Sequence, residues 1–117
     1  MEQIVEVRAI VRMAMLDRVV RLLKESGVPR LTVTRVHAIG AGVDPASPKV
    51  SFTEGSVYAD KAIVHFICQA DQSQMYTELI QRCACTGRRG DGIISVHPVN
   101  SITKIRTGAE GLAALNP

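Results

Sequence analysis

Two different spacings of hydrophobic residues alternate along the first third of the chain. Residues 4–11 alternate apolar with charged positions, which is the period of a strand with one buried face. From residue 14 to residue 26 the period lengthens to that of an amphipathic helix. Its predicted apolar stripe consists of Leu16, Val19, Val20 and Leu23. Gly27 follows directly, where a helix commonly ends in the left-handed conformation.

An irregular stretch separates two predicted strands in the middle of the chain. Residues 31–36 and 61–68 are rich in strand-favouring residues. Between them, residues 40–60 contain three glycines and two prolines and have no sustained period. A loop of this length is uncommon in a small domain and usually serves a function. We expect a mobile projection, with room for a short hairpin around residues 49–52.

A second helix and a last strand complete the pattern. Asp71 or Ser73 is expected to cap the helix, and Gly87 to close it. The predicted buried stripe of this helix consists of Met75, Leu79, Ile80 and Cys83. Residues 93–96, bounded by Asp-Gly and by His-Pro, form the last strand.

The order of these elements predicts the fold class. Strand, helix, strand, strand, helix, strand is the α+β, ferredoxin-like βαββαβ arrangement, an antiparallel sheet with both helices on one face. The other face has no cover from this chain, yet Ile63 and Ile67 project there. We therefore expect the protein to self-associate.

Composition narrows the class of protein. A length of 117 residues predicts a single domain spanning residues 1–117. The net charge of +3 and the four aromatic residues argue against nucleic-acid binding. No apolar run reaches the roughly 20 residues of a membrane span, so no membrane insertion is expected. No secretory signal is evident at the N-terminus either, which favours a cytoplasmic protein.

The residues that catalysis or metal binding needs are not grouped in the sequence. Paired carboxylates and a nucleophile beside a base are absent from the pattern, so no catalytic residues are predicted and an enzyme is not expected. Cys68, Cys83 and Cys85 are an odd count, which argues against a disulfide framework. We interpret them as buried thiols rather than as metal ligands, and no metal site is predicted.

Two basic, glycine-containing motifs carry the candidate chemistry. Residues 86–92 read Thr-Gly-Arg-Arg-Gly-Asp-Gly, and residues 104–108 read Lys-Ile-Arg-Thr-Gly. Glycines let backbone amides approach an anion closely, and arginine and lysine supply positive charge for phosphate oxygens. The pair is therefore typical of a phosphate site; the alternative is a solvated turn with basic residues beside it.

These motifs and their spacing resemble the PII signal-transduction family over residues 4–108. Thr32-Val33-Thr34 leads to Ile39-Gly40, where that family enters its long T-loop, and Lys61 stands where the T-loop ends. The resemblance implies a T-loop at about 41–60, a B-loop at 86–92 and a C-loop at 102–108. It identifies the chain as a diverged member of the family, with a homotrimeric ferredoxin-like fold.

The resemblance implies a regulator that binds ADP, AMP or ATP in clefts between neighbouring subunits. Its T-loop would control a target enzyme or a membrane transporter in nitrogen or inorganic-carbon metabolism. The implied nucleotide-binding residues are Thr32, Ile39, Gly40, Ile67, Arg89, Gly90, Asp91, Gly92, Lys104 and Arg106. The implied partner-binding residues of the T-loop are Asp44, Lys49, Glu54 and Tyr58.

Several positions depart from the family pattern. Ile93 replaces a lysine after Gly-Asp-Gly, and Ala41 and Gly42 replace an arginine and a glutamine. Glu54 stands where some members carry a modified tyrosine. These changes weaken the expectations of Mg-ATP preference, 2-oxoglutarate sensing and uridylylation, and leave room for a second small anion such as bicarbonate. The alternative function is a metal-responsive or structural adaptor with a vestigial nucleotide cleft.

Overall fold

The computed structural model describes residues 3–40, 49–51 and 56–117. Its elements are β1 (Ile4–Arg12), a 3-10 turn (Met13–Met15), α1 (Leu16–Glu25), β2 (Thr32–Ile39), β3 (Lys49–Ser51), β4 (Ser56–Gln69), α2 (Ala70–Ala84), β5 (Gly92–Pro98) and a 3-10 helix (Gly111–Leu115). Asp44 and Glu54 of the predicted T-loop lie outside the described residues. Residues 41–48 and 52–55, for which mobility was predicted, also lie outside the described residues.

The predicted order of elements and the ferredoxin-like sheet are confirmed. The strands lie in the order β2-β4-β1-β5 and every pair is antiparallel, with β3 paired to the start of β4. The short hairpin expected around residues 49–52 is therefore present as β3. It lengthens β4, so the prediction that this strand begins at Lys61 was wrong: it begins at Ser56.

Strand alternation decides what the sheet buries. Val5, Val7, Ala9 and Val11 of β1 are all buried, and in the sheet Val7 lies opposite Phe66 of β4. Val19 and Leu23 of α1 complete this core, together with other buried residues of β4 and α2. The opposite face carries Ile10, which lies opposite Ile63 in β4 and Ile93 in β5. We call this row, Ile93, Ile10 and Ile63, the open-face row.

The end of α1 follows the sequence prediction. Gly27 has φ +100°, and its amide donates to the Lys24 carbonyl at 3.1 Å while the Val28 amide donates to the Leu23 carbonyl at 3.1 Å. These two bonds are the Schellman arrangement, which satisfies carbonyls that have no partner within the helix.

The beginning and the buried face of α2 differ from the prediction. Neither Asp71 nor Ser73 caps the helix: β4 runs directly into it, and the Ala70 amide donates to the Gln3 carbonyl at 2.9 Å. Ser73 Oγ instead donates to the Ala70 carbonyl inside the first turn. Ile80 is buried as expected, but Met75 is exposed and Tyr76 is buried in its place, edge-on to Phe66. The predicted stripe included only fully apolar side chains and therefore omitted Tyr76, whose ring lies in the core although its hydroxyl group is polar.

Candidate functional site

The Asp91 carboxylate organises the loop at residues 86–92. It accepts hydrogen bonds from the backbone amides of Thr86 (2.8 Å) and Gly87 (2.9 Å), from the Thr86 hydroxyl, and from Arg12 Nε (2.9 Å). The Thr86 hydroxyl contributes most to holding the pKa of Asp91 well below its usual value, and the Thr86 amide, Arg12 and the Gly87 amide add to it. The side chain of Asp91 therefore closes the loop on itself.

Two cations on the sheet fix the tip of the same loop. Arg12 Nη2 donates to the Arg89 carbonyl at 2.9 Å, and Lys61 Nζ donates to the Gly90 carbonyl. In a planar trans peptide the N–H points opposite to the C=O. The amides of Gly90 and Asp91 are therefore directed away from these two cations, outward from the sheet. Such successive outward amides are typical of anion-binding loops.

Gly92 is required by a close approach of two strands. Its φ is +108°, and a Cβ at this position would lie 1.7 Å from the Ile10 carbonyl oxygen. The glycine that the motif suggested as a phosphate contact thus also has a purely structural reason to be there.

Ile39 lies at the same end of the sheet as this loop. With Lys61 it lines an open cavity of about 710 Å³. Tyr58, expected in the partner-binding loop, lies in β4 and stacks against His37 with ring centroids 4.1 Å apart. His37 Nε2 is in turn 3.4 Å from Asp60 Oδ1. The loop group, as we call it, comprises Ile39, Gly40, Arg89, Gly90, Asp91 and Gly92.

The remaining predicted nucleotide-binding residues lie elsewhere. Thr32 and Ile67 line a cavity of about 280 Å³ together with Ile102 and Leu115. Lys104, two residues after Ile102, donates from Nζ to the main-chain oxygens of Asn116 (2.7 Å) and Pro117 (3.3 Å). Ile105 and Arg106 are exposed. We call Thr32, Ile67, Lys104 and Arg106 the cavity group.

A single chain does not bring the two groups together. Lys61 touches the loop group, whereas Ile67, six residues further along β4, belongs to the cavity group. At about 3.3 Å per residue these positions are roughly 20 Å apart. One copy of the chain therefore places the loop group and the cavity group at opposite ends of its sheet.

Sequence reasoning missed the residues that support the loop. Arg12 was not singled out, Thr86 was counted only as the first residue of the motif at 86–92, and Lys61 was read only as the end of the T-loop. Lys61 is 2% exposed, which is rare for a lysine unless its ammonium group is bound. The available signal was a pair of cations on adjacent strands, because Arg12 lies opposite Lys61 in the register. That pairing is not visible before the strands are aligned.

The cysteines only partly follow the prediction. Cys68 is buried and Cys83 is half-buried, but Cys85 is exposed, so the expectation of three buried thiols was wrong for Cys85. It lies just beyond the last turn of α2. Within residues 3–40, 49–51 and 56–117, no group of three or more histidine, cysteine or acidic residues is placed to hold a metal ion. In the same residues, neither α-helix has both the length and the hydropathy for crossing a bilayer.

Comparison with known proteins decides the family. The family described as nitrogen regulatory protein P-II matches residues 4–109. The chain belongs to the P-II family. Among its relatives, a nitrogen regulatory protein P-II of Azospirillum brasilense is 31% identical over 91% of this chain and 95% of its own length. A nifHD-region GlnB-like protein 2 of Methanothermobacter marburgensis is 31% identical over 94% and 98%.

Solved P-II structures share the whole fold. Arabidopsis thaliana PII bound to citrate is 28% identical, with a TM-score of 0.77 over 96% of this chain and 92% of that one. A Bacillus subtilis GlnK-ATP complex is 26% identical, with a TM-score of 0.77 over 96% and 97%. As a P-II protein, this chain belongs to a family of signal-transduction regulators of nitrogen metabolism, which are not enzymes.

Ile93, which was predicted to depart from the family pattern, lies on the open face of this P-II chain. Ile93 is 67% exposed and lies on the open face beside Ile10. An aliphatic side chain there adds apolar surface and supplies no donor for an anion.

Proposed function

We propose that this P-II protein is a homotrimeric regulator that binds ADP, AMP or ATP between neighbouring subunits. The observation that carries the proposal is the division of the predicted site into the loop group and the cavity group, roughly 20 Å apart on one sheet. Two half-sites on one chain become whole sites when the loop group of one copy meets the cavity group of the next. The B. subtilis relative is described as an ATP complex, which supports the choice of ligand.

The phosphates would lie against the outward amides of Gly90 and Asp91. Lys104 and Arg106 of the neighbouring copy would supply the opposing charge, because a polyphosphate needs both donors and cations to leave water. Thr32 and Ile67 would accommodate the base. Ile93 replaces a cation in this scheme, so the preference for the triphosphate should be weaker, and a second small anion such as bicarbonate has room beside the phosphates.

The open-face row supports the trimer. Ile93, Ile10 and Ile63 form a continuous apolar line across three strands, on the face that neither helix covers. Burying such a line against a second copy is favourable at about 25 cal/mol per Å². A second and a third copy of the chain would cover this row and would also complete the two half-sites.

Control of a partner is assigned to the T-loop. Of its four predicted contacts, Tyr58 has a described side chain, and it stacks on His37 beside the cavity that Lys61 and Ile39 line. A ligand entering that cavity would therefore meet residues at the root of the T-loop. A target enzyme or a membrane transporter is the kind of partner proposed, with the T-loop presented to it in a ligand-dependent conformation.

Isothermal titration with ATP, ADP and AMP tests the binding claim. We expect binding of at least one of them, and a loss of about tenfold or more in affinity for Arg106→Ala, since a hydrogen-bonded charge contributes about 1.5–3 kcal/mol. Arg21→Ala, which removes an exposed arginine on α1, is the matched control and should bind like the unmodified chain.

The proposal has a clear failure. If none of the three nucleotides gives heat or a thermal shift with the unmodified chain, the nucleotide site does not exist. Equal losses for Arg106→Ala and Arg21→Ala would instead show that the effect is one of overall charge.

A further inference from the structure

The segment that follows the C-loop folds back onto the cavity group. The Lys104 amide donates to the Ala109 carbonyl at 2.8 Å and the Gly111 amide to the Ile102 carbonyl at 3.2 Å, which closes a hairpin. The 3-10 helix Gly111–Leu115 then places Ala114 in a buried position and Leu115 in the wall of the 280 Å³ cavity. Residues 111–117, which we call the tail segment, thus occupy part of the space beside Thr32 and Ile67.

Two cations hold the tail segment in place. Arg30 Nη2 and Lys104 Nζ both donate to the Asn116 carbonyl, at 3.0 Å and 2.7 Å. Lys104 reaches the main-chain oxygen of Pro117 at 3.3 Å as well, and Arg30 Nη1 reaches the Ala114 carbonyl at 3.5 Å. An ammonium group has three N–H donors, so these contacts use most of the capacity of Lys104.

The N–H donors of Lys104 that bind the tail segment are the same donors that a phosphate group would need. The Asn116 carbonyl is a neutral acceptor, whereas phosphate oxygens carry negative charge and attract the Lys104 ammonium group more strongly. A nucleotide can therefore displace the tail segment from Lys104, but only by giving up part of its binding free energy.

We propose that the tail segment is an internal competitor for nucleotide in each subunit. Resting on the proposed function, this inference adds a regulation of the same site. With the tail segment docked, Lys104 is bound to Asn116 and Pro117 and affinity is low. With it released, the half-site is complete. Apparent affinity is then the intrinsic affinity scaled by the fraction of subunits in the released state.

Truncation after Leu115 tests the proposal directly. It removes both acceptors of Lys104 and keeps the buried Ala114. We expect affinity for ADP to rise about three- to tenfold, the change that results when a state populated at about 10–30% becomes the only one. Equal or weaker binding by the truncated chain, with the unmodified chain binding normally, overturns the competitor while leaving the proposed function intact. If neither chain binds ADP, ATP or AMP, both the internal competitor and the proposed function are wrong.

A full-length variant guards against misfolding of the truncated chain. Arg30→Gln removes one of the two cationic holds and should also raise affinity for ADP, whereas Arg21→Gln should not. In the truncated chain Arg30→Gln should have a smaller effect, since truncation has already removed the Asn116 carbonyl and leaves Arg30 only its 3.5 Å contact with Ala114. An additive gain or a loss would place Arg30 at the ligand itself and contradict the competitor. Amide exchange in residues 111–116 should rise when ADP is added to the unmodified chain; increased protection there would also contradict the internal competitor.

Discussion

Asp91 shows how one carboxylate can specify a loop. Four donors converge on it, from Thr86, Gly87 and Arg12, and the carbonyls that Arg12 and Lys61 bind then orient the neighbouring amides. In the sequence, Asp91 stood among the expected ligand contacts. In the structure its side chain is committed to the loop, so any contact with an anion must come from the backbone around it.

The depressed pKa of Asp91 makes stability depend on pH. The group is ionised in the folded chain at pH values where the unfolded chain, with an ordinary pKa of about 3.9, begins to take up a proton. Its stabilisation is therefore complete above about pH 5 and is lost as pH falls below about pH 4. Urea unfolding across this range should show a step that Asp91→Asn removes, at a cost of about 1–3 kcal/mol at neutral pH. Glu25→Gln, an exposed site on α1, should keep the step; if Asp91→Asn keeps it too, Asp91 is not its source.

Gly92 allows a sharp test of backbone proximity. Gly92→Ala places a methyl group against the Ile10 carbonyl in addition to the cost of a positive φ, and should destabilise the chain by at least about 2 kcal/mol. Gly27→Ala is the matched control, because Gly27 also has positive φ but a Cβ added to it would meet no atom within 4 Å. It should cost about 1 kcal/mol. Equal midpoints for the two variants in thermal unfolding would contradict the close approach.

At the scale of elements, the end of β4 and the end of α2 place their cysteines in different environments. Burial, with a smaller contribution from Asp71, raises the pKa of Cys68 to about 11. Cys85, just beyond the helix end, is exposed. A thiol reagent at about pH 8 should therefore label Cys85 rapidly and Cys68 only after unfolding. Mass spectrometry of the labelled chain distinguishes them, and Cys85→Ser should abolish the rapid phase. Rapid labelling of Cys68 in the folded chain would show that its side of the core opens readily.

Element type was predictable here, and element ends were not. The alternation in β1 and the glycine after α1 identified both elements, because each depends on neighbours in sequence. The predicted start of α2 was wrong because its first amide is bound by Gln3, a residue just before β1 and distant in sequence. The same holds for β4, whose early start depends on pairing with β3. The site followed the same rule: the motif at 86–92 was visible, whereas its supports Arg12 and Lys61 became visible only through strand register.

At the scale of the whole molecule, association and ligand binding should be linked. Ile63→Glu introduces a charge at the β4 end of the open-face row without touching the buried core. We expect light scattering to show a trimer for the unmodified chain and a monomer for this variant, with unchanged circular dichroism and no nucleotide binding. Met75→Glu, at an exposed apolar position on α2, should remain trimeric. A monomeric Ile63→Glu chain that still binds nucleotide would show that one copy makes the whole site.

The two cations that hold the tail segment bind its main-chain oxygens rather than its side chains. Arg30 and Lys104 grip the carbonyl of Asn116, an atom that every amino acid provides. Residue 116 can therefore change to another amino acid in evolution without losing these contacts, whereas its distance from the 3-10 helix must stay the same. Among related chains, insertions or deletions after residue 110 should disrupt the contacts of Arg30 and Lys104 with the tail segment far more than exchanges of one residue for another.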